Sequence, residues 1–306
     1  MNIHVPQTEE ARTEAIELMN VKANLVTPRD GVPLIAATQD FITAAYLITR
    51  RDTFFDRAQF CQIVTYFSDA TEQIDIPPPA IMRPCNLWTG KQVMGVLLNP
   101  NKDSKVLLNL EAQNKTFQKP APGEINDMSP NDGWLVIINS QIMCGHFDKA
   151  TVGDGKKTSV FAVMLRDYGS TETAIAMGKL AKVCARWLSN RGFSIGISDV
   201  TPGERLRSEK EAIVRSGYDT SLALIRQAKE GKLDLGAGMD LEATLESSVS
   251  GVLSKVRDKC AYVCFRELSR HNAPLTMAIC GSKGKLHIYQ TFLHVLNLAC
   301  CLQVRI

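Results

Sequence analysis

Gly192, Ser194 and Gly196 have the spacing G-x-S-x-G. In that pattern a strand carries a serine onto a sharp turn, where a neighbouring histidine can activate its hydroxyl for attack on a carbonyl. Here the stretch ahead of Gly192 reads as a helix, so a helix cap and tight turn at Gly192 is the expectation. A serine hydrolase built on Ser194 is the remote alternative. Three fragments suggest phosphate binding: Gly90-Lys91, Gly155-Lys156 and Gly281-Ser282-Lys283-Gly284. None completes G-x-x-x-x-G-K-[ST], which excludes a nucleotide-binding P-loop. Residues 281–284 can still offer backbone N–H groups and the Lys283 ammonium to a phosphate. The nine cysteines contain no C-x-x-C pair. Cys260 and Cys264 lie one helical turn apart, but no histidine or second cysteine pair completes a zinc set, and buried apolar thiols are the simpler reading. The histidines (His4, His146, His271, His287 and His294) show neither H-x-x-x-H nor H-E-x-x-H spacing, which excludes that zinc-protease motif. No complete catalytic constellation is legible.

The elements that must carry these residues follow from composition and periodicity. The chain has 306 residues, 45% hydrophobic and 22% charged, which is ordinary globular composition and excludes a disordered or collagen-like chain. Its length suits two medium domains or one large one. The net charge of +3 is uneven. Residues 1–100 hold 8 basic and 11 acidic side chains, and residues 179–290 hold 18 and 12. A basic C-terminal part is compatible with a nucleotide or nucleic-acid partner, but a solvated helical face accounts for it without one and is the favoured reading. No secretory signal pattern opens the chain, and the odd, scattered cysteines suit a reducing compartment. The longest apolar run, residues 291–302, is shorter than the ~18 residues of a membrane span, so no membrane partner is expected.

Residues 8–19 read as a helix capped by Thr8, and residues 34–49 and 54–67 repeat helical spacing. Three prolines at 77–79 break regular structure. Residues 106–110, 134–139, 141–144 and 159–165 read as strands of a small antiparallel sheet, with Asn139-Ser140 as a hairpin turn. Residues 173–189 then form a helix. Two long charged helices, about 203–229 and 241–270, form a hairpin about 40 Å long at ~1.5 Å per residue. The fold class is α+β: a helical N-terminal part with a small antiparallel sheet, followed by a long antiparallel helical hairpin.

Several segments add a further layer. MNIHVPQTEEAR at the start, PRDG with Gln39-Asp40, RDTFFDR at 51–57, PPPAIMRPCNLWTGKQ at 77–92, NRGFSIGISDVTPG at 190–203 and CGSKG at 280–284 occur in one collinear order. In that order they resemble the largest subunit of multisubunit DNA-directed RNA polymerases, with wording most similar to the eukaryotic RNA polymerase III version. The resemblance runs from Met1 to about Gly284. It implies that residues 1–19 are the tail of an active-site domain, 20–186 a pore domain and 187–270 a funnel domain. Residues 271–284 would begin the next (cleft) domain, and 285–306 form a divergent tail. A shifted reading frame from about Lys285 would explain that tail.

The resemblance also implies a reaction, template-directed nucleotidyl transfer at a two-metal site. The aspartates that bind catalytic magnesium (Mg2+) are expected ahead of Met1, and zinc (Zn2+) elsewhere in the full-length subunit. The fragment alone is therefore expected to be inactive. Its expected partners are other RNA polymerase subunits, nucleoside triphosphates, and template DNA and RNA in the complete enzyme; its expected location is the nucleus. Lys283, Ser282, Gly281 and Arg257 are the candidates to face nucleotide phosphates. Trp88, Gly90, Lys91 and Gln92 form a signature expected to fix pore architecture. The alternative is a non-catalytic scaffold that docks polymerase subunits and cleavage factors.

Overall fold

The structure, a computed structural model, describes residues 2–70, 72–117, 129–234, 238 and 240–283. The predicted tail 285–306, its apolar run and Gly284 lie outside the described residues. The chain forms two compact units, one up to Phe193 together with Ile279–Lys283, the other spanning Ser194–Ala278.

In the first unit, helix α1 (Glu9–Glu17) starts where Thr8 accepts the Ala11 N–H at 3.2 Å. None of its residues is buried, and Ile16, Leu18 and Met19 are exposed. Helix α2 (Asp40–Thr49) begins six residues later than its periodicity suggests. The preceding residues 25–34 fold into a turn instead, with Thr27 donating to Val32 O and Leu34 to Leu25 O. From Ile42 onward α2 is almost wholly buried.

The segment predicted as helix 54–67 divides. Strand β1 (Phe54–Phe55) pairs with β2 (Trp88–Thr89), and helix α3 (Arg57–Thr65) starts only at the capping box of Asp56 and Gln59. Helix α4 (Gly90–Leu98) follows β2 and buries seven of its nine residues.

Three short strands, β3 (Leu110–Gln113), β4 (Trp134–Ile138) and β5 (Gln141–Cys144), form an antiparallel sheet in the order β3-β4-β5. Asn139 and Ser140, both at positive φ (49° and 64°), make the two-residue turn between β4 and β5, the conformation that matches strand twist. Only Leu110 of the predicted strand 106–110 joins the ladder. The Leu107 N–H goes to the Tyr168 hydroxyl and the Leu108 N–H to Ser140 Oγ, so side chains satisfy the backbone there. Helix α5 (Lys149–Val152) is a single turn.

The predicted strand 159–165 is instead the first two turns of helix α6 (Val160–Arg191), which Ser159 caps by accepting the Ala162 N–H. A short apolar run has no periodicity that separates a buried strand from a buried helix. Here Val160, Phe161, Val163 and Met164 are all buried, and the capping serine decides the outcome. Gly169, at φ 86°, kinks α6. Beyond the kink Lys179 pairs with Glu72 and Lys182 with Asp69, each at 2.7 Å, and Arg186 donates to Tyr66 O. Gly192 ends the helix at φ 75°, the predicted cap. The core gathers Ile42, Ile48, Phe60, Met94, Leu135, Ile137 and Met164 from α2, α3, α4, the sheet and α6.

The second unit contains α7 (Ile197–Val200), α8 (Glu204–Lys229), α9 (Leu241–Glu267) and most of α10 (Ala273–Cys280). Arg205 pairs with Glu267, Glu209 with Arg266, and Gly217 faces Val256. As one number rises the other falls, so α8 and α9 are antiparallel. At Gly217 the helices meet closely, since an added Cβ would lie 2.3 Å from Val256 Cγ2. Valine is stiff at χ1 within a helix and yields little. Gly217→Ala is therefore expected to destabilise the hairpin by about 1–3 kcal/mol, read from urea unfolding followed by circular dichroism, and Val256→Ala should restore part of the loss.

Candidate functional site

Lys91 sits in the first turn of α4, and its surroundings explain the signature around it. Thr89 Oγ1 accepts the Gln92 N–H while Gln92 Oε1 accepts the Thr89 N–H, a reciprocal cap. Gln92 Nε2 also donates to Pro78 O, and Trp88 Nε1 to Pro77 O, both at 2.8 Å. Prolines have no N–H to offer, so the 77–79 segment is held through its carbonyls. Gly90 lies against the backbone of α2, where an added Cβ would stand 1.8 Å from Ile48 O.

The Lys91 ammonium lies 2.8 and 3.0 Å from the two oxygens of Asp132. Both side chains are about 15% exposed, at 15% and 14%. Asp132 Oδ1 also accepts the Gly145 N–H at 2.8 Å. Gly145 is at φ 85°, and a Cβ there would meet Leu135 Cα at 2.4 Å, so only glycine brings this N–H to the carboxylate. His146 follows, with Nδ1 3.9 Å from Asp132 Oδ2 and its ring edge-on to Tyr46 at 4.9 Å.

Burial lowers the His146 pKa from its ordinary value, against the pull of Asp148 and Asp132. Its Nε2 is buried without a hydrogen-bond partner among the described residues. Burial likewise raises the pKa of Tyr46, which feels the charges of Arg50, Cys280, Asp52 and Asp132. The unfolded chain therefore binds a proton near pH 6.5 that folded His146 does not. Stability is complete above that value and falls as pH drops below about 6.5. His146→Gln should flatten this slope, measured as the difference in urea midpoint between pH 7.5 and about pH 5.

Tyr46 leads to the second group of predicted residues. Cys280, fully buried, donates from Sγ to Ser282 Oγ at 3.3 Å. Burial raises the thiol pKa, while Ser282, Thr43 and the Lys115 charge pull it back. Gly281 turns the chain at φ 78°, and a Cβ there would lie 2.9 Å from Lys149 Cβ and 3.6 Å from Lys115 Nζ. Lys149 pairs with Asp154 at 3.3 Å, and the Lys115 N–H is held by Asp148 Oδ2. Lys283 is exposed. The turn thus packs on the Lys149 and Lys115 side chains and carries the exposed Lys283 at its end.

The structure unites Trp88, Gly90, Lys91 and Gln92 with Gly281, Ser282 and Lys283 in one unit, through Asp132, His146, Tyr46 and Cys280. Arg257 belongs to the other unit, on α9, half-exposed and 3.4 Å from Asp258. Ser194 is exposed and follows a helix, so the strand that a nucleophile elbow requires is absent and the hydrolase alternative falls. Asp132, His146, Tyr46, Lys115 and Lys149 are missed by sequence reasoning, because they come from distant segments with no shared spacing. An open cleft of about 640 Å³ lies between α4 and α6, bordered by Leu98, Val106, Met164, Tyr168 and Lys179, and holds none of the predicted site residues. Among the described residues no three histidine, cysteine, aspartate or glutamate side chains are grouped to hold a metal ion, and no helix is long and apolar enough to cross a membrane.

Comparison with known proteins gives consistent matches. Residues 24–200 match the family described as RNA polymerase Rpb1, domain 3, and residues 225–292 match RNA polymerase Rpb1, domain 4. The chain is 57% identical over 284 residues to DNA-directed RNA polymerase III subunit RPC1 of Debaryomyces hansenii, covering 93% of this chain and 20% of that protein. Against the subunit of the same name from Saccharomyces cerevisiae it is 55% identical over 285 residues, covering 93% and 20%. Against that of Homo sapiens it is 46% identical over 304 residues, covering 98% and 21%. The chain spans about one fifth of the length of these relatives.

Proposed function

This chain belongs to the family of RNA polymerase largest subunits, and from that premise we propose that it forms the nucleotide-access pore and funnel of a nuclear RNA polymerase III. In this reading residues 1–19 end the active-site domain, 20–186 are pore, 187–270 are funnel and 271–284 open the cleft domain. The complete enzyme carries out template-directed RNA synthesis on DNA with other polymerase subunits, using nucleoside triphosphates. Among the described residues no three histidine, cysteine, aspartate or glutamate side chains are grouped as a donor set, and in this reading catalytic magnesium and zinc are held elsewhere in the full-length subunit. What this chain supplies is position and charge along the path of the substrate.

The observation that carries the proposal is the 281–283 turn. Its backbone is seated against Lys149 and Lys115, its base is fixed by Cys280, and its Lys283 is exposed. Cations so held attract a triphosphate without closing around it, which suits passage rather than capture. Lys283→Ala in an assembled polymerase containing the full-length subunit tests this. The KM for nucleoside triphosphates should rise by up to about 10-fold, the worth of one lost charged contact, while kcat changes little. An unchanged KM would remove Lys283 from the substrate path. Arg257→Ala on the funnel helix is the parallel test for that residue.

A second reading, docking of polymerase subunits or cleavage factors, draws support from the hairpin surface. Tyr218, Leu222 and Tyr262 are exposed there at 62%, 50% and 65%. Subunit pull-down with Tyr218→Ala and Tyr262→Ala variants separates it from the first, since docking predicts lost partners at unchanged KM.

A further inference from the structure

Lys210 is the buried cation that the proposed function does not use. It lies on the inner face of α8, 8% exposed, and its Nζ has no hydrogen-bond partner among the described residues. The antiparallel register that sets Glu209 beside Arg266 and Gly217 beside Val256 places Lys210 opposite Cys264 of α9, with Cys260 one helical turn further along. Both thiols are buried, at 6% and 4% exposure; burial raises their pKa values, and the Lys210 charge pulls them back. The carboxylates bordering this spot are engaged, Glu209 and Glu267 each with Arg205 and Arg266. A buried amine on α8 thus lies opposite a buried thiol on α9, with a second thiol one turn along, while Glu209 and Glu267 are engaged by arginines.

We propose that Lys210 and this cysteine pair form an oxidation-dependent covalent latch between α8 and α9. A peroxide oxidises one thiol by two electrons to the sulfenic acid and is itself reduced to water. Lys210, having lost its proton to solvent, attacks that sulfur through Nζ. The S–O bond breaks, the oxygen leaves as water, and an S–N bond joins the helices without further electron transfer. A thiol reductant reverses it, restoring amine and thiol.

The competing product is a disulfide between Cys260 and Cys264, and helix geometry disfavours it. Residues four apart on a helix hold their Cβ atoms about 5–6 Å apart, against the 3.5–4.5 Å a disulfide needs. The long lysine stem on the facing helix has no such restriction.

The full chain treated with hydrogen peroxide and mapped by peptide mass spectrometry tests the latch. The expected product is a peptide pair joining Lys210 to Cys260 or Cys264, lighter than its parts by two hydrogen atoms and separated again by thiol reductant. In Lys210→Met the pair should vanish, and a sulfenic acid at the same cysteine should become trappable by dimedone. Should Lys210→Met fail to fold by circular dichroism, Lys210→Arg serves, because a guanidinium keeps the charge but cannot act as a free amine. Failure of both thiols to oxidise, sulfinic acid with Lys210 unlinked, or a Cys260–Cys264 disulfide would each overturn the proposal. Cys260→Ser and Cys264→Ser identify which sulfur is linked.

Discussion

Asp132→Ala should cost about 3–5 kcal/mol of folding stability, the value for breaking one side of a buried ion pair. The carboxylate serves two partners at once, the Lys91 ammonium and the Gly145 N–H. Removing it leaves a largely buried cation beside a backbone donor with no acceptor, and both penalties act together. Urea unfolding of wild type, Asp132→Ala and the double variant Lys91→Met/Asp132→Leu measures this. The double variant should recover most of the loss, because replacing both charges with apolar groups abolishes the orphaned cation. Equal loss in single and double variants would mean that Asp132 acts through the Gly145 turn alone.

Gly90→Ala should cost about 3 kcal/mol or more. The clash is with main chain: the new methyl would sit 1.8 Å from Ile48 O and 2.7 Å from its carbonyl carbon. Side chains can swing aside, but α2 is a buried helix whose backbone moves only with the core it packs. Gly203→Ala is the control, since nothing lies within 4 Å of an added Cβ there. A thermal melt should show a drop of several degrees for Gly90→Ala and almost none for Gly203→Ala. A Gly90→Ala protein as stable as wild type would mean that α2 and α4 can separate freely.

Much of the fold can be read directly from local chemistry. Thr8, Asn139-Ser140 and Gly192 act where their types suggest, because caps and tight turns depend on a few adjacent atoms. The two long helices of the hairpin are legible from amphipathic periodicity for the same reason. The misread segments are those where a distant partner decides. Residues 106–109 look like a strand until Tyr168 and Ser140 take their N–H groups, and residues 159–165 look like a strand until Ser159 caps a helix.

The site divides in the same way. Gly281, Ser282 and Lys283 are visible as a glycine-lysine fragment, and Trp88 to Gln92 as part of a family wording. Asp132, His146 and Tyr46, which join the two groups, lie up to one hundred residues apart with no shared motif. Their pairing exists only once α2, α4 and the sheet have packed. Lys115 and Lys149 likewise read as ordinary surface lysines until the 281–283 turn folds back on them.

The outer half of α6 has a consequence of its own. Its attachments to residues 66–72 repeat at nearly every turn, through Lys179, Lys182 and Arg186. They differ in wetness, since the Lys179 side chain is 12% exposed and that of Lys182 45%. Ionic strength therefore acts on them unequally: at 1 M salt, where screening reaches within about 3 Å, the wetter tether slackens first. The ion pairs should therefore weaken in that order, the Lys182 one before the Lys179 one, while Leu180, Val183, Cys184 and Trp187, buried along the same rod, keep it seated on the core.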